Sequence, residues 1–173
     1  MVIWVIGLAG SGKSTISKII HNAFLKSALP TVLVDGDEIR KIFGNDLGHS
    51  IKDRLKNASR IRELCKLLDK SRINAVCAIL SISELDRKWC RENLSSYIEI
   101  YINTPLPLIE KRGYRDLYLK YDQGLVIDVV GKDIKFDKPS RPDFIINNDK
   151  SKEVFIEEGN KIANTILQNL NEL

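Results

Sequence analysis

The chain has 173 residues, of which 43% are hydrophobic and 29% are charged, and its formal net charge is +4 at pH 7. This composition excludes a disordered or fibrous chain and is typical of one globular domain, here residues 1–173. The basic residues are dispersed, which argues against a nucleic-acid partner. No apolar run approaches the roughly 18 residues of a membrane span, and the first strand begins too early for a signal peptide. We therefore expect a cytoplasmic protein that binds no membrane.

Five apolar segments are predicted to be strands, and they alternate with segments of helical periodicity. The predicted strands are residues 2–6, 31–34, 75–80, 97–102 and 144–146. Helices are predicted over residues 15–25, over residues 52–70 and from Ser151 onward, and Thr104-Pro105 is predicted to open another. This alternation predicts an α/β fold, with a five-stranded parallel sheet that carries helices on both faces.

The chain contains three cysteines, Cys65, Cys77 and Cys90. Their odd number and their spacing fit neither a disulfide framework nor a metal site. Cys65 falls on the apolar stripe of a predicted helix, and Cys77 falls within a predicted strand. We therefore expect both thiols to pack in the core of a protein from a reducing compartment.

A glycine-rich phosphate-binding motif follows the first predicted strand directly. Residues 7–14 read GLAGSGKS, an unbroken G-x-x-x-x-G-K-S pattern between a strand and a helix. Glycines in such a turn let backbone N–H groups converge on phosphate oxygens, and the helix N-terminus favours the same negative charge. The motif predicts a P-loop in which Lys13 reaches the β- and γ-phosphates of a nucleotide and the Ser14 hydroxyl binds Mg²⁺.

Acidic residues follow the second predicted strand, where residues 35–40 read DGDEIR. Ligands of open parallel sheets bind beyond the carboxyl ends of the strands. A carboxylate here could hold a Mg²⁺-bound water or orient the attacking hydroxyl, and Arg40 could pair with a substrate phosphate. Asp and Glu also favour helix N-termini for purely structural reasons, so the spacing alone leaves both interpretations open.

Two further segments are candidates for the site. Arg54, Asn57 and Ile61 are spaced to share one face of the helix over residues 52–70, although this spacing taken alone favours an ordinary solvated face. Residues 113–142 form a long insertion before the last predicted strand. Such an insertion is typical of a functional lid, which phosphoryl transfer needs because water would compete with the acceptor hydroxyl.

In order and spacing, nearly the whole chain resembles the adenylylsulfate kinases, P-loop kinases that transfer the γ-phosphate of ATP to the 3′-hydroxyl of adenylyl sulfate. The matching segments are GLAGSGKST at 7–15, DGDEIR at 35–40, NDLGHS at 45–50, DRLKNASRI at 53–61, TPL at 104–106, EKR at 110–112 and LYLK at 117–120, with the stretch from Gly124 to Gly131 before Pro139. The resemblance implies an ATP-dependent kinase that uses ATP and Mg²⁺ and takes a small-molecule nucleotide acceptor as its partner. The sequence leaves open whether the chain forms a homodimer.

The resemblance also implies roles for the matching residues. It implies four catalytic residues, Lys13, Asp35, Asp37 and Lys120. Among them, Asp35 would be the base, and Lys120 in the lid would neutralise the charge of the transferring group. ATP would be held by Gly7, Gly10, Ser11, Gly12, Lys13, Ser14 and Thr15, with Arg112 near its adenine. Mg²⁺ would be bound by Ser14 and Asp35. The acceptor would contact Asp37, Arg40, His49, Arg54, Asn57, Ser81 and Val129.

The sequence departs from the family mainly among the residues expected to bind the acceptor, which we call the acceptor half of the site. His49 and Val129 stand where the family clamps the acceptor's adenine between two phenylalanines. Ile82-Ser83-Glu84 stands where the family has proline, an aromatic residue and arginine, and Gly113-Tyr114-Arg115-Asp116 replaces Asp-Pro-Lys-Gly. Loss of stacking weakens purine binding. The acceptor is therefore predicted to be adenylyl sulfate or, alternatively, cytidine diphosphoramidate, the substrate of a related branch in bacterial capsule biosynthesis.

Two other functional classes fit the sequence less well. A GTPase would carry N-K-x-D after a late strand, whereas residues 147–150 read NNDK, and the D-x-x-G at 128–131 falls in the predicted lid. A non-catalytic nucleotide-binding regulator would bind ATP without acceptor-dependent release of ADP. No Ser/His/Asp or Cys/His set can be assembled, so direct phosphoryl transfer is expected rather than covalent catalysis.

Overall fold

The computed structural model describes residues 1–112 and 116–171, and within them the chain forms a five-stranded sheet. The strands are β1 (Val2–Ile6), β2 (Thr31–Asp35), β3 (Asn74–Ile79), β4 (Tyr97–Asn103) and β5 (Phe144–Asn147). Their order across the sheet is β2-β3-β1-β4-β5, and every neighbouring pair is parallel. The predicted parallel sheet is confirmed, and no strand end differs from its predicted position by more than one residue.

The helices of the described residues are α1 (Lys13–Lys26), α2 (Gly36–Ile42), α3 (Ile51–Lys70), α4 (Glu84–Asn93), α5 (Leu106–Lys111), α6 (Leu117–Asp122) and α7 (Lys152–Asn171). They confirm the helices predicted over residues 15–25 and 52–70 and from Ser151 onward. The prediction at Thr104-Pro105 needs one correction. Pro105 is the N-cap of α5, while Thr104 donates its hydroxyl elsewhere, to the carbonyl O of Ser11. None of these helices is long and apolar enough to cross a membrane.

Each face of the sheet carries its own core, because successive residues of β1 point to opposite sides. On one face Trp4 packs with Ile61 of α3. On the other face Ile3 packs with Ile16 of α1 and Phe155 of α7. These two cores confirm that helices cover both faces of the sheet.

The cysteines belong to the first of these cores. Cys65, Cys77 and Cys90 are all free and fully buried, and the Sγ atoms of Cys65 and Cys77 lie 3.4 Å apart. Burial is the largest cause that raises the pKa of the Cys77 and Cys90 thiols, so both remain uncharged at neutral pH. The predicted core packing of Cys65 and Cys77 is confirmed.

The topology brings three loops to one edge of the sheet. Strands β1, β2 and β3 are parallel neighbours, so their carboxyl ends lie side by side. The glycine-rich loop follows β1, the acidic segment follows β2, and the turn over residues 80–83 follows β3. Ligands of open parallel sheets bind at this edge.

Candidate active site

A cavity of about 1020 Å³ opens at the carboxyl ends of the strands. Its walls come from the glycine-rich loop, the ends of β2 and β3, the first half of α3, and the segment from residue 116 to residue 130. Most of the predicted site residues line it, namely Gly10, Gly12, Lys13, Ser14, Thr15, Asp35, Asp37, Arg40, His49, Arg54, Asn57, Ser81 and Lys120. The fold therefore brings together residues that are more than 100 positions apart in the sequence.

Four of the predicted site residues do not line this cavity. Gly7 and Ser11 belong to the glycine-rich loop but are buried, and a Cβ on Gly7 would come within 2.6 Å of Ser11 Oγ. Val129 is 1% exposed and packs with Ile109 and Tyr118 in a small apolar cluster, so it does not occupy a clamping position. Arg112 is exposed at the C-cap of α5. Neither Val129 nor Arg112 lines this cavity, and their contacts with the acceptor and with adenine stay predictions.

The glycine-rich loop has the backbone of a phosphate-binding turn. Gly10 and Gly12 have φ of 79° and 106°, in the left-handed region that favours glycine. A Cβ on Gly12 would also come within 2.6 Å of the Phe155 ring. Lys13 begins α1 and donates from Nζ to the carbonyl O of Leu8 at 2.7 Å, so its ammonium is held back over the loop.

Three side chains that the sequence analysis missed support this loop. The carbonyl O of Ser11 accepts hydrogen bonds from Thr104 Oγ1 at 3.0 Å and from Asn148 Nδ2 at 2.8 Å. Tyr118 donates its hydroxyl to the carbonyl O of Ala9 at 3.2 Å. Thr104 and Asn148 each follow the last residue of a strand, β4 and β5. That position, beyond the carboxyl end of a parallel strand, was the available sequence signal.

Asp35 is a helix cap and also lies at the cavity wall, the two positions that the sequence left open. It is the last residue of β2 and lines the cavity. It is also the N-cap of α2, where its Oδ1 accepts from the backbone N–H of Asp37 at 2.9 Å. Capping occupies one carboxylate oxygen with a neutral donor and leaves the negative charge at the cavity wall.

Two arginines bring positive charge to the cavity wall. Arg40 is 8% exposed and donates from Nη1 to the carbonyl O of Gly48 at 2.6 Å. Arg54 donates from Nη2 to the carbonyl O of Asp128 at 2.8 Å, while its buried Nε has no hydrogen-bond partner among the described residues. Burial, followed by the positive charge of Arg40, lowers the pKa of Arg54. A buried guanidinium that lies close to a second positive charge in this way is suited to an anionic ligand.

Asn57 and Ile61 complete this wall, so the face predicted on α3 lines the cavity and is not a solvated surface. Asn57 is 5% exposed and donates from Nδ2 to the carbonyl O of Gly36 at 3.0 Å. Its buried Oδ1 has no hydrogen-bond donor among the residues that the structure describes. A buried unpaired acceptor is costly, so this oxygen is suited to a ligand hydroxyl or amine.

His49 lies beside the two arginines. It is exposed, but loss of hydration on its covered side, followed by the positive charges of Arg54 and Arg40, lowers the pKa of its imidazole. The ring is therefore neutral at pH 7 and adds no third cation to this wall.

The segment after α5 lies against both halves of the cavity. Residues 113–115, where the predicted lid begins, lie outside the described residues. In the described part, Asp133 accepts from the backbone N–H groups of Asp128 and Val129 at 2.8 and 2.6 Å, which orders the turn that Arg54 contacts. Gly131 (φ 96°) packs against Leu8 of the glycine-rich loop. This segment thus connects the loop with α3.

The sequence model described as adenylylsulphate kinase matches residues 1–147. The chain belongs to the adenylylsulfate kinase family. It is 34% identical over 148 residues to the adenylyl-sulfate kinase of Pseudomonas aeruginosa, covering 84% of this chain and 76% of that one. It is also 34% identical over 152 residues to the adenylyl-sulfate kinase of Lactiplantibacillus plantarum, covering 87% and 73% of the two chains.

Solved structures agree with this assignment to the adenylylsulfate kinase family. The Mycobacterium tuberculosis APS kinase CysC, solved in complex with AMPPNP and APS, superposes with a TM-score of 0.84 at 26% identity, over 98% of this chain and 96% of that one. The gluconokinase of Sinorhizobium meliloti, at 16% identity and a TM-score of 0.61, shares the fold alone. The family and the P-loop kinase fold establish this chain as an ATP-dependent kinase.

Proposed function

We propose that this kinase transfers the γ-phosphate of ATP to the 3′-hydroxyl of a nucleotide acceptor, and that the acceptor is adenylyl sulfate. The observation that carries the proposal is that the glycine-rich loop lines the same cavity as Arg40, Arg54 and Asn57. The relatives described above carry the name adenylyl-sulfate kinase, which supports the choice of acceptor. None of them is named for cytidine diphosphoramidate or for capsule synthesis.

The ATP half of the cavity is the loop and the start of α1. Backbone N–H groups of residues 10–15 bind the phosphates, and Lys13 adds a positive charge. Mg²⁺ fits this half, because the Ser14 hydroxyl and the Asp35 carboxylate are the oxygen donors that this ion prefers and both line the cavity. The described residues contain no group of three or more His, Cys, Asp or Glu side chains that could hold a metal. Such a site suits an ion that keeps waters and shares the phosphates of its nucleotide.

The acceptor half surrounds the attacking hydroxyl. Asp35 is the general base, which takes the proton of the 3′-hydroxyl as the oxygen attacks the γ-phosphorus in line with the departing ADP oxygen. Asp37, one residue into α2, orients the same hydroxyl. Ser14 and Asp35 would hold Mg²⁺, which would neutralise charge on the phosphates, and Lys120 adds positive charge from the cavity wall.

Recognition of the acceptor falls to the cavity wall that carries Arg40, Arg54 and Asn57. Arg40 and Arg54 pair with its anionic groups, and the free Oδ1 of Asn57 accepts from a hydroxyl or amino group. His49 supplies one planar neutral ring for the base, and Ser81 contributes from the turn after β3. Since Val129 is buried elsewhere, the base meets one ring here and not two. Residues 116–142, as the described part of the predicted lid, exclude water during transfer.

The test is ADP release by the purified chain with MgATP and a panel of acceptors. Adenylyl sulfate should raise ADP release far above the rate with water alone, and cytidine diphosphoramidate should not. Turnover with the cytidine compound alone would contradict the choice of acceptor and keep the reaction class. ATP binding with no acceptor-dependent ADP release would contradict catalysis and favour a nucleotide-binding regulator.

A further inference from the structure

The turn after β3 lines the cavity in a backbone conformation that serine rarely adopts. Ser81 has φ of 48°, in the left-handed region, and is 7% exposed. Its neighbours Leu80, Ile82 and Ser83 line the cavity with it. A residue other than glycine keeps this conformation only where the surrounding structure holds it there. The acceptor wall therefore depends on a support for Ser81.

Arg87 provides this support from the first turns of α4. It is 1% exposed, and its Nη1 donates to both the carbonyl O and the Oγ of Ser81, at 3.0 and 3.3 Å. These two bonds from one nitrogen fix the backbone and the side chain of the same residue. Arg87 itself does not line the cavity, so any effect on the acceptor passes through Ser81.

Two carboxylates compensate the buried guanidinium. Nη2 of Arg87 pairs with Glu84, and its Nε lies 3.9 Å from Oε1 of Glu99, which is 2% exposed. Glu99 is also paired with Arg91, at 3.6 Å, so its charge keeps a partner without Arg87. A buried charge is tolerated only with such partners. This second pairing leaves Glu99 with one cationic partner when Arg87 is replaced.

Glu84 extends the connection to the far end of the long insertion. The hydroxyl of Ser140 donates to Oε1 of Glu84 at 3.0 Å, while the other carboxylate oxygen pairs with Arg87. A continuous set of contacts thus runs from Ser140 through Glu84 and Arg87 to Ser81. Glu84 stands at a position where the family resemblance places an arginine, which could not accept from Ser140 or pair with Arg87. This connection depends on the acidic residue of this chain.

We infer that Arg87 is a positioning residue for the acceptor half of the site, which it serves by holding Ser81 in its left-handed conformation. Glu84 couples this support to the segment carrying Ser140. The inference rests on the proposed function, because it concerns affinity for the acceptor. ATP binds at the loop after β1, which Arg87 does not contact, so ATP affinity is independent of this support.

The experiment is steady-state kinetics of Arg87→Met with each substrate varied in turn. The KM for the acceptor should rise about tenfold, while the KM for ATP stays within about twofold of the wild-type value. Arg87→Lys, which can restore one donor to Ser81, should recover part of the acceptor KM. The Glu84 side chain is 58% exposed, so Glu84→Gln should fold. This variant keeps the shape of the side chain but not its charge, and should raise the acceptor KM about threefold.

Arg91→Met is the matched control, because Arg91 lies on the same helix and pairs with the same Glu99 but contacts Arg141 and Asp143 instead of Ser81. Its acceptor KM should stay near the wild-type value. Equal rises in both KM values for Arg87→Met, or equal effects of Arg87→Met and Arg91→Met, would overturn the positioning role. If Arg87→Met does not fold, an unchanged acceptor KM in Glu84→Gln overturns it as well. If the wild-type protein shows no acceptor-dependent ADP release, the proposed function itself is contradicted. This outcome is distinct from those that overturn only the positioning role of Arg87.

Discussion

Nη2 of Arg54 lies 2.8 Å from the carbonyl O of Asp128, although the two residues are 74 positions apart in the sequence. One guanidinium therefore holds the segment after α6 against α3 and also contributes positive charge to the cavity wall. The position of this segment and the placement of positive charge at the cavity wall are consequently linked through one side chain.

Arg54→Met should weaken acceptor binding and spare ATP binding. Charge-assisted hydrogen bonds contribute about 1.5–3 kcal/mol each, so the acceptor KM should rise between about tenfold and a hundredfold. The measurement is KM for each substrate with the other saturating. Arg60→Met, on the same helix but paired with Asp46 at the surface, is the control. An equal rise in the KM for ATP would contradict the assigned role.

Lys13→Ala should abolish phosphoryl transfer. Lys13 is the lysine of the glycine-rich motif, and no neighbouring cation of α1 lines the cavity to replace it. Loss of a charge that stabilises the transferring phosphoryl group typically lowers kcat by about 10²–10³-fold. Lys18→Ala, an exposed position of the same helix, should keep normal turnover. Near-wild-type ADP release by Lys13→Ala would contradict the mechanism.

Asp35→Asn should separate the two roles of Asp35. Asparagine caps helices as well as aspartate does, so the hydrogen bond to the N–H of Asp37 and the stability of α2 should be retained. Its amide has no negative charge and cannot act as the base, so kcat should fall at least about a hundredfold. Thermal unfolding and kcat measured on the same sample test this. A large fall in melting temperature with nearly normal kcat would contradict the catalytic assignment.

Thr104→Val and Asn148→Ala should act cooperatively on stability, because both side chains donate to the carbonyl O of Ser11, which is fully buried. Each single variant leaves the carbonyl with one donor and should lower the free energy of unfolding by about 1 kcal/mol. The double variant leaves it without either donor, which costs more than the sum of the singles. Urea unfolding of the four proteins measures the difference, and additive losses would contradict the shared role.

His49 should make stability depend on pH below neutrality. Because its pKa is lowered in the folded state, the unfolded state binds more protons as pH falls below 6.5. Stability from this residue is thus fully present above pH 6.5 and declines toward the lower folded pKa. Urea unfolding at several pH values between about 5 and 7 should show a smaller decline in His49→Gln. His21→Gln, on α1 and outside the cavity, is the control; a wild-type decline in His49→Gln would contradict this account.

The sequence was sufficient for most of the fold, for identifiable physical reasons. Each strand is a short apolar run, and the period of Ile61 and Cys65 marks the buried face of α3. At the site, the glycine-rich motif and the spacing of Arg54 and Asn57 are local patterns, and the structure places their side chains in one cavity. Local patterns survive folding because helix and strand geometry fixes which residues share a face.

Contacts made across the fold could not be predicted in this way. Thr104 stands in the sequence where a helix cap is expected. Its hydroxyl instead donates to the carbonyl O of Ser11, because β4 ends close to the glycine-rich loop in the fold. Val129 matches a clamping position by alignment, yet it packs inward against Ile109 and Tyr118. Nothing near Arg87 in the sequence indicates a support for Ser81. Each of these outcomes depends on tertiary distances.

The three buried thiols can report when the core around them opens. Cys65, Cys77 and Cys90 are fully covered and sit on α3, β3 and α4, so a thiol-alkylating reagent can reach them only when that core separates. Mass spectrometry would record how many labels each molecule has acquired over time. Three labels appearing together would show that this side of the sheet opens as one unit. Stepwise labelling would show which of the two helices detaches first, with no probe engineered into the chain.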